Sequence, residues 1–250
     1  NNIVMKKYQN DMVSPAIKNA QESGPASKDV AVHLCDVKSQ IKAAQNQRSQ
    51  SYMDESVTLV AVSKRQPDDK IDAALAAGQR VFGENRVQEA IQRWTDRRMA
   101  YSDLALHLIG PLQTNKVADA VMLFDVIEVV DREKLARALA KEMTRQNRFL
   151  PCYIQVNTGE EPQKSGILPA QLDEFCNFCR NELALPIIGL MCIPPVDEEV
   201  AMHFALLNRM AQRLNLPNLS MGMSGDYIEA IGFGATSVRV GSAIFGMREN

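Results

Sequence analysis

Short apolar runs alternate with stretches of helical period along most of the chain. The runs are VTLVAVS (57–63), RVFG (80–83), LHLIG (106–110), VIEVV (126–130), CYIQVN (152–157), IIGLMCI (187–193), LSMGM (219–223) and SVRVG (237–241). Between them lie DDKIDAALAAG, RVQEAIQRW, TNKVADAVML, REKLARALAKEM, PAQLDEFCNFCRNEL, EEVAMHFALLNRMAQRL and DYIEAIGFG, whose apolar residues recur every three or four positions and predict helices. Ahead of the first run, Val30, Leu34, Val37 and Ile41 keep the same spacing and predict a further helix over 30–48. Residues 1–28 show no clear period and carry Gly24-Pro25, so they read as a loose tail or a short appended helix, with one domain over 29–250.

The runs are apolar at successive positions, as strands covered on both faces must be. Strands that alternate with helices form parallel sheets. Eight such units in a chain of 250 residues match a single closed (β/α)8 TIM barrel. An open doubly wound sheet is the alternative, but it uses fewer strands, and the Gly-rich dinucleotide fingerprint is missing after the first run.

Composition narrows the partners. A net charge of -2 gives nucleic acid or an anionic membrane nothing to attract, and no apolar run approaches the ~20 residues a membrane helix needs. The N-terminal stretch lacks the basic-then-apolar layout of a secretory signal, so a cytoplasmic protein is expected. The five cysteines are odd in number, which argues against a disulfide framework. Cys176 and Cys179 form a C-x-x-C inside an apparent helix with no second pair, so buried thiols on a helix face are expected there rather than a metal or redox site.

In a barrel of this kind the site forms at the carboxyl ends of the strands. Lys64 directly follows the first run, in AVSK, and Glu84 and Asn85 follow the second. Asn157 closes the fifth run, with Lys164 further along its loop. Ser224, Gly225 and Asp226 follow the seventh, and Gly241 and Ser242 the eighth. A lysine at an apolar strand end either snorkels to water or, desolvated, becomes a nucleophilic amine suited to a Schiff base. Small residues in MGMSGD and VRVGSAIFG let backbone N–H groups approach a phosphate, or else serve only tight turns. Arg239 lies opposite in phase to Val238 and Val240; it faces the barrel mouth as a donor to a ligand ring, or pairs with Glu84 or Asp226. Together these features suit a phosphorylated carbonyl compound.

The motifs AVSK (61–64), GQRVFGENRVQE (78–89), LHLIGPLQTNK (106–116), IQVNTGEEPQKSGI (154–167), GLMCIPP (189–195), LSMGMSGDYIEAI (219–231) and ATSVRVGSAIFG (235–246) stand in the order of a known family. With them the chain resembles the pyridoxal phosphate homeostasis proteins (YggS-type), whose barrel is similar to the N-terminal domain of alanine racemase. The resemblance implies that Lys64 carries pyridoxal 5′-phosphate covalently and that Ser224, Gly241 and Ser242 hold its phosphate. It implies Arg239 at the pyridine nitrogen, Asn85 beside the ring, and Lys164 as a loop lysine near the pocket that assists transfer. Arg65 and Cys192 depart from the family's usual residues.

The resemblance further implies a protein that binds, buffers and delivers the cofactor to apo-enzymes, without strong catalysis. An arginine cannot accept a proton from the ring nitrogen, so the ring stays a weak electron sink. Alanine racemase also uses arginine there, but with a second domain for which no residues remain here; a monomer is expected. A racemase acting with the barrel alone is the alternative, with Tyr227 and Lys64 as candidate bases, and a cofactor-free Schiff-base aldolase is a third reading.

Overall fold

The computed structural model describes residues 25–49 and 56–246. A helix, α1 (Pro25–Gln47), precedes eight strand–helix units: β1 (Thr58–Val62), α2 (Asp68–Ala76), β2 (Val81–Glu84), α3 (Val87–Ala100), β3 (Ala105–Leu108), α4 (Val117–Leu123), β4 (Val126–Val130), α5 (Glu133–Gln146), β5 (Cys152–Val156), α6 (Leu172–Asn177), β6 (Ile187–Cys192), α7 (Val200–Arg213), β7 (Asn218–Ser220), α8 (Tyr227–Gly232), β8 (Ser237–Val240) and a one-turn α9 (Ser242–Phe245). All strand pairs are parallel, in the order β1 to β8, and β8 returns to β1 with Val60 beside Arg239. The sheet is therefore a closed barrel. Closure leaves no unpaired edge, and it puts every strand between a filled lumen and a helix, which is why the runs are apolar throughout.

Two boundaries move. α1 begins at Pro25, inside the stretch 1–28 expected to be a loose tail or a short appended helix; proline is well placed at a first helical position, where its missing N–H costs nothing. The rest of that expected tail, 1–24, lies outside the described residues. β7 ends at Ser220 rather than at Met223, because Gly222 takes φ +95° and turns the chain out of the ladder. A side chain there would meet Ala230 Cβ at 2.7 Å, so the turn and the packing of α8 both require glycine.

α1 lays Val30, Leu34, Val37 and Ile41 against the barrel, all nearly fully buried, in contact with α2, α8 and α9. Cys176 and Cys179 are buried and free, as the helical spacing implies, and burial pushes the Cys179 thiol up to about 12. The helix carrying them loosens into a π turn at Phe178–Glu182. No helix among the described residues is long and apolar enough to cross a membrane.

Candidate functional site: a cation-lined cavity at the barrel mouth

Alternation along β1 sends Val60 and Val62 to the lumen, and the chain carries that phase one step on to Lys64. A cavity of about 290 Å³ opens at this end of the barrel, lined by Val62, Lys64, Gln66, Asn85, Arg239 and Ser242 among others. Ser224, Gly225 and Gly241 complete its wall toward β7 and β8, and Ile109, Ile193 and Met223 supply its apolar part. Six of the seven residues expected from sequence thus meet in one place. Two of the lining residues are cationic and none is acidic, so the cavity favours an anion. Its volume lies near the small end of small-molecule sites.

Lys64 is half-buried and is set by its neighbours. Arg93 on α3 reaches back to donate from Nη1 to Ser63 O (2.9 Å) and from Nη2 to Gln66 O (3.0 Å), clamping the turn on both sides of the lysine. Arg93 also donates to Glu84 Oε1 at 3.0 Å, which accepts further bonds from Ser63 Oγ (2.7 Å) and Trp94 Nε1 (3.1 Å). The wholly buried Glu84 carboxylate therefore faces α3, away from the cavity. Arg65, next along, holds φ 58°, a left-handed conformation in the turn right after the lysine.

Asn85 follows Glu84 and turns inward to line the cavity. Its Oδ1 is buried without a hydrogen-bond partner, an acceptor left for a ligand. Gly110 allows this: a Cβ there would lie 2.4 Å from Asn85 O and 2.8 Å from Asn85 Cβ. On the opposite wall the backbone N–H groups of Gly241 and Ala243 converge on Ser224 Oγ (3.1 and 3.3 Å). The hydroxyl accepts both and keeps its own O–H for an anion in the cavity.

Arg239 is buried and does not pair with Glu84 or Asp226. Its Nη1 donates to Ser220 Oγ (2.6 Å) and its Nη2 to Cys192 O (2.8 Å). The nearest carboxylate is Glu128 on β4, at 3.9 Å. Glu84 is turned out to α3, while Asp226 Oδ1 accepts the Met223 N–H (2.6 Å) to close its own turn. Glu128 accepts from Ser220 Oγ (2.6 Å) and from His107 Nδ1 (2.6 Å). Burial would raise its pKa, but the His107 hydrogen bond and charge, Arg239 and Ser220 together hold it below the ordinary glutamate value. Sequence reasoning did not single out Glu128, His107 or Arg93. A glutamate inside VIEVV and a histidine inside LHLIG, each breaking an apolar strand, were the available signals.

Two expected roles are not assembled. Lys164 does not line the cavity; its Nζ pairs with Glu161 at 2.5 Å on a loop that Asn157 holds through Nδ2 to Glu161 O (2.8 Å). Tyr227, the candidate second base, donates its hydroxyl to Gln40 on α1 (2.7 Å) and so points out of the barrel. It lines a larger groove of about 570 Å³ with Asp36, Asp226 and Glu229, whose acidic walls disfavour an anion. Among the described residues no group of three or more His, Cys, Asp or Glu could hold a metal.

Fold and site together define a class: a single parallel (β/α)8 barrel with a lysine after its first strand and an anion-favouring cavity at the carboxyl rim. The family described as "Alanine racemase, N-terminal domain" matches residues 39–249. The pyridoxal phosphate homeostasis protein of Escherichia coli (strain K12) is 37% identical over 230 residues, 88% of this chain and 97% of the relative. That of Vibrio cholerae serotype O1 is 40% identical over 223 residues, 85% of this chain and 94% of the relative. Among solved structures, PipY of Synechococcus elongatus PCC7942 with PLP bound superimposes with a TM-score of 0.74 at 36% identity, covering 87% of this chain and all of PipY. The chain belongs to the alanine racemase N-terminal domain family and, within it, to the pyridoxal phosphate homeostasis proteins.

Proposed function

We propose that the chain binds pyridoxal 5′-phosphate in this cavity and serves to hold and deliver it. One observation carries the reading: Lys64, Arg239 and the Ser224–Gly241–Ser242 wall, far apart in sequence, line one cavity that contains no carboxylate. The fit is chemical. An aldehyde needs a partly desolvated amine, and Lys64 is half-buried. A phosphate needs small residues that let it approach and hydroxyl donors; Gly225 and Gly241 supply the first and Ser224 and Ser242 the second. A ring needs flat apolar walls and a polar neighbour; Ile109, Met223 and the unpartnered Asn85 Oδ1 suit it.

When bound, the cofactor supplies an aldehyde that forms a Schiff base with an amine and withdraws electrons from it. In this chain Lys64 supplies that amine. The Gly241 and Ala243 amides fix the Ser224 oxygen, whose own O–H, with Ser242 beside it, would hold the phosphate. Arg239, always protonated, donates a hydrogen bond and cannot take a proton from a ring nitrogen, so it favours holding over carbanion chemistry. The kinship to proteins named for homeostasis supports the same choice. A racemase working with Lys64 and Tyr227 lacks support, since the Tyr227 hydroxyl is engaged with Gln40 on the outer face. Delivery to apo-enzymes, a monomeric state, a cytoplasmic location and Lys164 as a transfer-assisting lysine belong to this proposal.

Borohydride reduction of the protein loaded with pyridoxal 5′-phosphate tests it. The adduct is expected on Lys64 and is expected to vanish, with the visible absorbance, in Lys64→Ala. An undiminished adduct in that variant would overturn the anchor. Incubation with single-enantiomer amino acids is expected to leave optical purity intact.

A further inference from the structure

Below the cavity the lumen holds a buried carboxylate, Glu128, to which the proposed binding role gives no task. Glu128 on β4 and Arg239 on β8 stand on opposite sides of an eight-stranded barrel, and Ser220 on β7 joins them. The three side chains are wholly or almost wholly buried. We propose that Glu128 is a positioning residue of the cofactor site: acting through Ser220, with His107 behind it, it fixes the direction of the Arg239 guanidinium and balances its charge. This inference rests on the pyridoxal phosphate reading above.

The hydrogen-bond arithmetic is restrictive. Ser220 has one hydroxyl hydrogen, and Glu128 Oε2 takes it at 2.6 Å. The Ser220 lone pairs are then the acceptor for Arg239 Nη1, also at 2.6 Å. Arg239 Nη2 is tied to Cys192 O on β6. Two fixed acceptors on different strands set the plane of a guanidinium that lines the cavity. His107 Nδ1 donates to the other Glu128 oxygen, which holds the carboxylate across the lumen and fixes which ring nitrogen carries the proton. Without Ser220 and Glu128 the guanidinium would keep one anchor and turn freely about it.

Charge makes the second half of the case. A carboxylate 3.9 Å behind the guanidinium offsets part of its charge, so toward a ring Arg239 acts chiefly as a directional donor. Such a donor grips a ring nitrogen with less positive field than an arginine without that carboxylate. Cohesion alone does not call for this pair: a buried ion pair is often no more stabilising than apolar residues of the same volume, and polar networks serve to fix one arrangement.

The test compares wild type, Ser220→Ala, Glu128→Gln and Val129→Ala, each loaded with pyridoxal 5′-phosphate. Val129 is buried on β4 next to Glu128 but faces the helices, so its truncation reports loss of packing alone. Ser220→Ala and Glu128→Gln are expected to displace the visible absorbance maximum and to weaken binding roughly five- to tenfold, the worth of about one buried hydrogen bond. The borohydride adduct is expected to remain on Lys64 in both. Val129→Ala is expected to lower Tm with the maximum unmoved. The proposal fails if Ser220→Ala, the smaller change, keeps the wild-type maximum and affinity, or loses affinity only as Val129→Ala does with the maximum in place. Should Glu128→Gln not fold, Ser220→Ala decides alone. Absence of both absorbance and adduct in wild type would instead overturn the binding reading.

Discussion

At the residue scale, the turn that carries Lys64 is held by its neighbours. Ser63 and Gln66 are pinned from outside the barrel by one arginine, and between them Arg65 takes φ 58°. A left-handed conformation costs a residue with a Cβ about 1–2 kcal/mol, which the clamped turn overrides. The Arg65 side chain is exposed and contributes no burial. Arg65→Gly is therefore expected to raise stability by roughly 0.5–1 kcal/mol, after the entropy glycine adds to the unfolded chain. Urea denaturation checks it; a fall in the midpoint would show that the arginine holds the turn by contacts of its own. Lys64 itself followed from sequence because a strand-end lysine in an apolar run is conspicuous. Which way it faced rested on strand phase alone.

At the element scale, the ends of β1 and β2 are fastened to α3. Glu84 on β2 is wholly buried and accepts from Ser63, Arg93 and Trp94 through one oxygen. Truncating Arg93 leaves this carboxylate short of its charge partner and releases both carbonyls flanking Lys64. Arg93→Ala is expected to cost about 3–5 kcal/mol, the range for breaking a buried pair. It is also expected to lower the yield of borohydride adduct, since the amine loses its fixed turn. A variant with wild-type stability and adduct would remove Arg93 from the support of the site. The helix over RVQEAIQRW was legible from its period, but nothing in that period says that Arg93 turns inward. The same limit explains Tyr227, whose position after β7 is near the mouth while its hydroxyl reaches Gln40 on α1. Helical phase places a residue on a face, and only packing tells which neighbour that face meets.

At the scale of the whole molecule, the barrel carries an ionised carboxylate in its lumen, and this couples stability to acid. Glu128 titrates below the ordinary glutamate value in the folded protein, despite burial, because His107, Ser220 and Arg239 favour its charged form. A depressed folded pKa contributes stability that is present above the unfolded value of about 4.5 and is lost as pH falls through the lower folded one. Urea midpoints measured over a pH series are expected to fall in that acid window, and to fall less steeply in Glu128→Gln. Parallel curves for the two proteins would place the acid sensitivity elsewhere.

The sequence by itself determined the barrel, because strands buried on both faces must be apolar throughout and helices that cover them must repeat every three or four residues. It also determined which residues stand at strand ends, and so the candidates Lys64, Asn85, Ser224, Arg239, Gly241 and Ser242. Only the tertiary structure decided that these line one cavity while Lys164 does not, that Arg239 answers to Glu128 rather than to Glu84 or Asp226, and that Arg93 clamps the lysine turn. The physical reason is closure. Pattern along a chain fixes the period and face of each element, whereas contacts across a lumen join β4, β7 and β8 at separations no local period encodes.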